Sequence, residues 1–307
     1  MARRITHAQF SQALASGTMS AELLADYVTL DASTGIPTVR FRADALLDIP
    51  PHGYDVDDAV YLYLRAQQKT TRAQTQSFEY VGKKSVVAEG DSWFALPAFL
   101  RVPAIADRIG KDGRFVMENI AHWGHTLRQI IAAQEYARVL QRARPDYFMI
   151  SGGGNDLQEG LANGSFIYAY DPARTPDAYL TPAGMAALDE IEKGYQAIFD
   201  QVSPAYPTMP VLCFGYDYPR PLVGDGVYIG RHLRAKGIPD RAMEPIMDAV
   251  IDKLNARIKR VASGYAKAIF LDCRTVTKPY TWVDDMHPGV DGFKALAAQF
   301  EGGMSPA

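Results

Sequence analysis

From residue 85 onwards, short apolar segments alternate with longer segments of helical periodicity, and few folds accommodate that alternation. The apolar segments have the length and composition of buried parallel strands; they are SVVAEG, RFVMENIA, DYFMISGG, VLCFGYD and AKAIFLDC. Apolar residues recur at helical spacing in HTLRQIIAAQEYARVLQR, AMEPIMDAVIDKLNARIKRVA and VDGFKALAAQF, each of which we predict to be one helix. The sequence therefore predicts an α/β protein whose parallel sheet is covered by helices on both faces.

The amino-terminal region, residues 1–84, has a different pattern and contains no cluster of chemically reactive residues. Segments 5–17, 20–30 and 55–68 have the composition of short helices, and segment 38–47 alternates as a strand does. The polar stretch Lys69–Ser77 is typical of a linker. We therefore divide the chain into an accessory segment, residues 1–84, whose role is open, and a domain, residues 85–302, that we expect to fold without it.

The charge balance and the apolar runs argue against several classes of protein. The chain has 32 basic and 35 acidic side chains and a net charge of −3, whereas proteins that neutralise nucleic-acid phosphates are normally basic. The longest apolar run, Ala59 to Leu64, is too short to cross a membrane. The stretch MARRITHAQFSQALASG lacks the apolar core of a secretory signal, so we expect a cytoplasmic location. Cys213 and Cys273 lie in apolar runs and are expected to be buried free thiols.

The loops that follow the strands carry the information on function, because ligands of such sheets bind at the carboxyl ends of the strands. The loop after the first strand contains Ser92, and the loop after the third contains Asn155. The loop before the last helix contains Asp284 and His287. Serine hydrolysis needs a nucleophile, a base, a carboxylate that orients the base, and donors for the developing oxyanion. These loops supply a residue type suited to each task.

Four short blocks in these loops resemble, in the same order, the signature blocks of the SGNH, or GDSL-like, hydrolases. The blocks are Gly90-Asp91-Ser92, Gly124, Gly153-Gly154-Asn155-Asp156 and Asp284-x-x-His287-Pro288. The resemblance extends from Ser85 to Phe300, and it implies a flavodoxin-like three-layer α/β/α sandwich with a parallel sheet, the SGNH hydrolase fold. Trp93 stands where the GDSL sequence has leucine, a difference that we expect to affect packing or the substrate pocket.

The resemblance also implies a role for each site residue. Ser92 would be the nucleophile, His287 the base, and Asp284 the group that orients the base. The oxyanion hole would consist of the backbone N–H groups of Ser92 and Gly124 and the side-chain amide of Asn155. No cofactor and no metal ion are implied. Taken singly, the residues also have plain structural interpretations: a helix cap for Ser92, a turn residue for Asn155 and a surface histidine for His287.

Two neighbouring carboxylates precede the histidine, and only one of them can accept the hydrogen bond of its Nδ1–H group. The three-residue offset of Asp284 lets a turn bring its side chain back onto His287. We expect Asp285, two residues away, to point to solvent or to cap the following helix.

Other ligand-binding patterns are absent from the sequence or poorly placed in it. Neither the G-x-x-x-x-G-K-[ST] of a phosphate-binding loop nor the G-x-G-x-x-G of a dinucleotide site occurs. His122, His125, Asp156 and Asp285 are the candidate metal ligands. We do not expect the two histidines to converge on a metal ion, because they lie three residues apart across a strand–helix junction.

Together these observations predict a serine ester hydrolase that forms an acyl-enzyme on Ser92. The candidate substrates are small-molecule, lipid or carbohydrate esters, among them acetylated sugars, short-chain esters, lysophospholipids and thioesters. An acyltransferase would use the same residues, whereas a binding or delivery module working through residues 1–84 would not need Ser92. The segments Gln158 to Thr181 and Tyr216 to Asp240 could form a lid or a specificity wall beside the site. The candidate aromatic walls of the substrate pocket are Trp123, Tyr216, Tyr218 and Trp282.

Overall fold

The computed structural model describes residues 4–31, 38–75, 82–111 and 113–304. Its amino-terminal elements are three helices and an antiparallel strand pair: α1 His7–Ala15, α2 Ala21–Tyr27, β1 Val28–Asp31, β2 Thr38–Phe41 and α3 Val56–Thr75. The side chains of Thr6 and Ser20 cap α1 and α2 by accepting hydrogen bonds from the backbone of the first turn.

Three predictions for this region are wrong in part. The strand predicted over residues 38–47 ends at Phe41, because a turn follows in which the Ala45 N–H donates to the Arg42 carbonyl at 3.0 Å. The helix predicted over residues 20–30 ends at Tyr27, because the β-branched Val28 and Thr29 continue as β1 and pair with β2. The predicted linker Lys69–Ser77 is helical as far as Thr75, since this polar stretch contains neither glycine nor proline to end α3. Its last two residues lie outside the described part of the chain.

The central sheet confirms the five predicted strands. They are β3 Lys84–Glu89, β4 Phe115–Asn119, β5 Tyr147–Ile150, β6 Val211–Gly215 and β7 Ala268–Asp272. All pairs are parallel, and the strand order is β4-β3-β5-β6-β7, the order of the flavodoxin-like fold. The order reverses between β3 and β5, so a crevice for a ligand is expected where those two strands end.

Helices lie on both faces of this sheet, as predicted. The helices of this part of the chain are α4 Ile105–Ile109, α5 Leu127–Ala133, α6 Glu135–Ala143, α7 Gly154–Ala162, α8 Pro182–Ala205, α9 Gly230–Ala235, α10 Asp240–Ala262 and α11 Val290–Met304. Consecutive strand residues point to opposite faces. Tyr147 donates a hydrogen bond to the Met304 carbonyl of α11, whereas the ring of Phe148 packs 6.0 Å from that of Tyr136 in α6. No helix in the described ranges is long and apolar enough to span a membrane.

The helices differ from the sequence prediction in several places. The segment predicted as one helix over residues 125–142 breaks at Gln134, which has a left-handed backbone with φ of 48°. Ala133 and Gln134 are exposed at this break. Helices α4, α7, α8 and α9 are not among the predicted helices, although α8 packs Tyr195 and Phe199 into the core.

The buried apolar residues of the described ranges form two clusters, and Leu100 packs against both. The larger cluster surrounds the parallel sheet and contains Cys213 and Cys273, which are buried free thiols as expected. The smaller cluster joins α1, α2, α3 and the β1–β2 pair, and it includes Phe99 and Trp123 from the predicted hydrolase domain. The accessory segment therefore buries apolar surface against that domain.

Candidate active site

Ser92 and His287 meet in a buried position at the carboxyl end of the sheet. Ser92 lies in a turn directly after β3, in which the Phe94 N–H donates to the Asp91 carbonyl at 3.0 Å. The Ser92 Oγ is 2.8 Å from the His287 Nε2. His287 is 2% exposed, so it is not a surface histidine. Ser92 is 1% exposed and caps no helix, because none begins directly after its turn. The pair is a hydroxyl in contact with a base and shielded from water.

The carboxylate of Asp284 contacts the other ring nitrogen of His287. Its two carboxylate oxygens lie 2.9 and 3.0 Å from the His287 Nδ1. One of these oxygens also accepts the backbone N–H groups of Met286 and His287, at 2.8 and 2.7 Å. The Val283 N–H closes the turn by donating to the His287 carbonyl at 2.9 Å. The chain therefore turns between Asp284 and His287, as the sequence predicts, because the aspartate side chain binds the backbone of its own turn.

The electrostatic environment favours a protonated His287. Burial disfavours the charged ring, but the charge and hydrogen bond of Asp284, aided by Asp91 and Asp285, outweigh this effect. The pKa of His287 is consequently raised above its usual 6.5. A base with a raised pKa accepts a proton more readily, and this property suits the activation of a hydroxyl.

The prediction for Asp285 is wrong, since this side chain reaches neither solvent nor the following helix. Asp285 is fully buried and accepts backbone N–H groups of Tyr228, Ile229 and Gly230, with Tyr228 at 3.0 Å and Gly230 at 2.9 Å. It thereby anchors the start of α9 beneath the histidine loop. The Tyr228 ring in turn packs edge-on against His287 at 5.7 Å.

Hydrogen bonds join the loops that carry the expected oxyanion donors. Gly124 is buried and has a φ of +76°, a left-handed conformation that glycine adopts without strain. The His122 N–H donates to the Gly90 carbonyl at 2.9 Å, which ties this loop to the one bearing the serine. The Asn155 Nδ2 donates to the His125 carbonyl at 2.8 Å. An amide nitrogen has two hydrogens, so one donor of Asn155 is left for a ligand.

A buried network below the serine was missed in the sequence analysis. Asp91 accepts hydrogen bonds from the Tyr216 hydroxyl, from the Ser151 Oγ at 3.1 Å and from the Trp93 N–H at 3.1 Å. The network ties the turn of the serine to the ends of β5 and β6. A Cβ on Gly90 would lie 1.9 Å from the Ser151 Oγ, so only glycine fits there. The Gly90-Asp91-Ser92 block contains this aspartate, but nothing near it in the sequence indicates its buried partners.

The loop of Gly124 also contacts the accessory segment. The Trp123 Nε1 donates to Asp57 of α3 at 2.8 Å. The ring of Tyr61, also in α3, packs 3.8 Å from that of His122 and 5.5 Å from that of Trp123. The rings of His122 and His125 stack at 4.2 Å, and burial lowers the pKa of each to about 4. Trp123 therefore contributes to the contact with α3.

The acidic members of the metal site considered above have other partners. Asp156 accepts the Leu127 N–H at the start of α5 at 2.7 Å, and Asp285 anchors α9 as described. Among the residues that the structure describes, no three potential ligands form a group that could hold a metal ion.

An apolar pocket lies beside the site, and both long segments contribute to it. We call it the apolar pocket; it is partly open, and its volume of about 440 Å³ includes space open to solvent. Of the four candidate aromatic walls, Tyr216 lines this pocket, whereas the Tyr218 hydroxyl bonds Asp252 at 2.9 Å. Trp282 does not line the pocket; its ring packs against that of Trp93, with ring centres 6.4 Å apart. The lining residues are Trp93, Gly154, Leu157, Gln158, Leu161, Tyr216, Asp217, Pro219, Ile229, Met247, Ile251 and Met286.

Comparison with known proteins agrees with this architecture. The model of the GDSL-like lipase/acylhydrolase family matches residues 88–295. The lipase Lip_vut3 from a goat rumen metagenome is 17% identical, with a TM-score of 0.52 over 72% of this chain and 98% of its own. An α/β hydrolase from the metagenome of Lake Arreo, Spain, is 16% identical (TM-score 0.44; 71% of this chain, 94% of its own). A catalytic mutant of an acetylxylan esterase from Geobacillus stearothermophilus is also 16% identical (TM-score 0.45; 74% and 96%). Among curated proteins, no relative matches the chain.

Proposed function

The chain belongs to the GDSL-like lipase/acylhydrolase family, and we propose that it is a serine ester hydrolase with Ser92 as its nucleophile. The observation that carries the proposal is the 2.8 Å contact between the Ser92 Oγ and the His287 Nε2. A serine hydroxyl is a poor nucleophile at neutral pH unless a base takes its proton. His287 is in position to do so, and Asp284 holds its opposite nitrogen.

In the proposed cycle, Asp284 keeps the proton of His287 on Nδ1, so that the lone pair of Nε2 faces Ser92. His287 accepts the Ser92 proton as Oγ attacks the ester carbonyl. It then gives that proton to the departing alcohol, and an acyl-enzyme remains. A water molecule next transfers a proton to His287 and attacks the acyl carbon. The bond to Ser92 breaks, and the serine recovers its proton from the histidine.

The oxyanion of each tetrahedral intermediate would be stabilised by three donors. We assign them to the N–H of Ser92, the N–H of Gly124 and the free hydrogen of the Asn155 amide. The hydrogen bonds that join the Gly90, His122 and Asn155 loops support this assignment, since they fix the donors before substrate arrives. Asp91 would act as a positioning residue, because it holds the turn that presents the serine.

The substrate class implied by the family is a small-molecule ester. The apolar pocket supports an apolar group on one side of the scissile bond, since its walls include the chain neighbours of Ser92, Asn155 and His287. Acetylated sugars and lysophospholipids are narrower proposals within this class. An acyltransferase would form the same acyl-enzyme, and the two activities differ in whether water or an alcohol receives the acyl group.

Hydrolysis of 4-nitrophenyl acetate by the full chain tests the proposal. We expect turnover by the wild type and a loss of at least 1,000-fold in kcat for Ser92→Ala and for His287→Gln. Ser263→Ala is the matched control, because Ser263 is an exposed serine at the end of α10. Adding an acceptor alcohol and measuring the new ester separates transfer from hydrolysis. Equal turnover in Ser92→Ala and the wild type would contradict the assignment of Ser92 as nucleophile, and a folded wild type without turnover would favour a binding module.

A further inference from the structure

Gln158 lines the apolar pocket, and its side-chain amide is buried without hydrogen-bond partners. The residue is 2% exposed, and neither its Oε1 nor its Nε2 has a hydrogen-bond partner. A buried amide without partners is costly, and native proteins seldom keep one unless it has a task. Most of the surrounding walls are hydrocarbon, including Leu157, Leu161 and Met247. A leucine or methionine at position 158 would fit such walls without this cost.

The position of Gln158 relates it to the proposed oxyanion site. Asn155 and Gln158 lie three residues apart on α7, so their side chains leave the same face of the helix, with Cβ atoms about 5–6 Å apart. The pocket is also lined by Trp93 and Met286, the chain neighbours of Ser92 and His287. A group bound at Gln158 would thus belong to the same ligand whose carbonyl lies at Ser92.

Two other polar side chains of the pocket walls, those of Asp217 and Tyr216, have partners. Asp217 accepts the N–H groups of Thr275 and Thr277 at 2.6 Å each and the Thr277 hydroxyl at 2.7 Å. The Tyr216 hydroxyl donates to Asp91. Gln158 differs from these two side chains, because neither of its polar atoms has a partner.

We propose that Gln158 recognises a hydroxyl group on the acyl chain of the ester, and the proposal rests on the function proposed above. The chemistry follows from the two free atoms: Nε2 needs an acceptor, and Oε1 needs a donor. A hydroxyl satisfies both atoms. A carboxylate only accepts and an ammonium only donates, so each would leave one atom unpaired. A plain hydrocarbon chain would leave both unpaired, and sites built to hydrogen-bond a substrate reject such analogues strongly.

The first test compares ethyl hexanoate with ethyl 3-hydroxyhexanoate and ethyl 6-hydroxyhexanoate, with the acid released measured by titration. We expect the wild type to prefer one of the hydroxy esters by at least tenfold in kcat/KM. Gln158→Met has a similar volume and no hydrogen-bonding atoms, and it should reduce the preference to within about twofold. Gln196→Met is the matched control: the same change at an exposed glutamine of α8 should keep the preference.

The second test is independent of activity. Because Gln158→Met removes a buried amide without partners, we expect the ligand-free variant to melt at least 2 °C above the wild type. A variant that melts lower and keeps the wild-type preference would overturn the inference. A preference between hexyl acetate and 6-hydroxyhexyl acetate, without one in the ethyl ester series, would overturn the assignment to the acyl chain.

The outcomes also separate this inference from the proposed function. Hydrolysis of all three ethyl esters at equal kcat/KM, unchanged in Gln158→Met, would overturn the role of Gln158 and leave the hydrolase standing. Failure of the wild type to cleave any ester, including 4-nitrophenyl acetate, would overturn the proposed function and the inference with it.

Discussion

The indole nitrogen of Trp123 donates a 2.8 Å hydrogen bond to Asp57, which joins the accessory segment to the loop that carries Gly124. The same Asp57 oxygen accepts the Val39 N–H at 2.7 Å, so one carboxylate connects β2, α3 and the candidate oxyanion loop. An ion pair between Arg65 and Glu135 links α3 to α6 nearby. These contacts make the accessory segment a support for the site, a relation that no local sequence pattern indicated.

The first prediction concerns that support. Asp57→Ala should lower kcat on 4-nitrophenyl acetate about tenfold and keep KM within threefold, because the Trp123 loop loses its anchor while the pocket is unchanged. Asp57→Asn should recover most of the loss, since its amide oxygen still accepts the indole hydrogen. Asp58→Ala, at the exposed neighbouring position, is the control. Wild-type kcat in Asp57→Ala would contradict the supporting role.

The second prediction separates the two carboxylates of the histidine loop. Asp284→Asn should lower kcat/KM at least tenfold, about 1.4 kcal/mol of transition-state stabilisation, with little change in melting temperature. Asp285→Asn should act mainly on stability, because an amide cannot accept all three backbone N–H groups around it. Kinetics and thermal melting of both variants test this. The reverse pattern would make Asp285 the residue that orients the histidine.

The third prediction follows from the raised pKa of His287. The base must be neutral to take the serine proton, so kcat/KM should fall as pH falls through that pKa, with a midpoint above 6.5. Asp284 is the largest of the influences that raise the pKa, so Asp284→Asn should move the midpoint to lower pH. Profiles of kcat/KM between pH 5 and pH 9, a range of about four units around the ordinary histidine value, measure both midpoints. A midpoint that does not move would exclude Asp284 as the main partner.

The fourth prediction concerns Asn155 of α7, the proposed oxyanion donor. Removing one such donor costs about 100- to 1,000-fold in kcat with little effect on substrate affinity. Asn155→Ala should therefore lower kcat by that order and leave KM within a few-fold. Asn163→Ala, at the carboxyl end of the same helix, is a control for changes to α7. A raised KM with kcat retained would make Asn155 a binding residue.

The sequence predicted those parts of the fold and site that depend on local patterns. Buried parallel strands are recognisable by their short apolar runs, and the Asp284 offset predicts its own turn, because both depend on neighbours in the chain. The four blocks predicted which loops carry the candidate site residues. The break at Gln134 was not predictable in this way, since the apolar periodicity continues across it and only the backbone conformation interrupts the helix.

The features that the sequence did not predict depend on contacts between residues that are distant in the chain. Asp285 is buried because three N–H groups from residues 228–230 surround it, and nothing near it in the sequence indicates those partners. Its sequence position made Trp123 a candidate pocket wall. Its partners in the structure, Asp57 and Tyr61, lie more than sixty positions away in the chain. The free amide of Gln158 likewise becomes visible only when the pocket walls are assembled.

The most direct test of the central claim is to react the full chain with a fluorophosphonate probe and locate the adduct by peptide mass spectrometry. This reagent phosphonylates a serine whose proton is taken by a neighbouring base, so it reports the activated state of Ser92 without assuming a natural substrate. We predict one adduct, on Ser92, that is lost in Ser92→Ala, greatly slowed in His287→Gln and kept in Ser263→Ala. A folded wild-type protein that forms no adduct, or one labelled at another serine, would contradict the account.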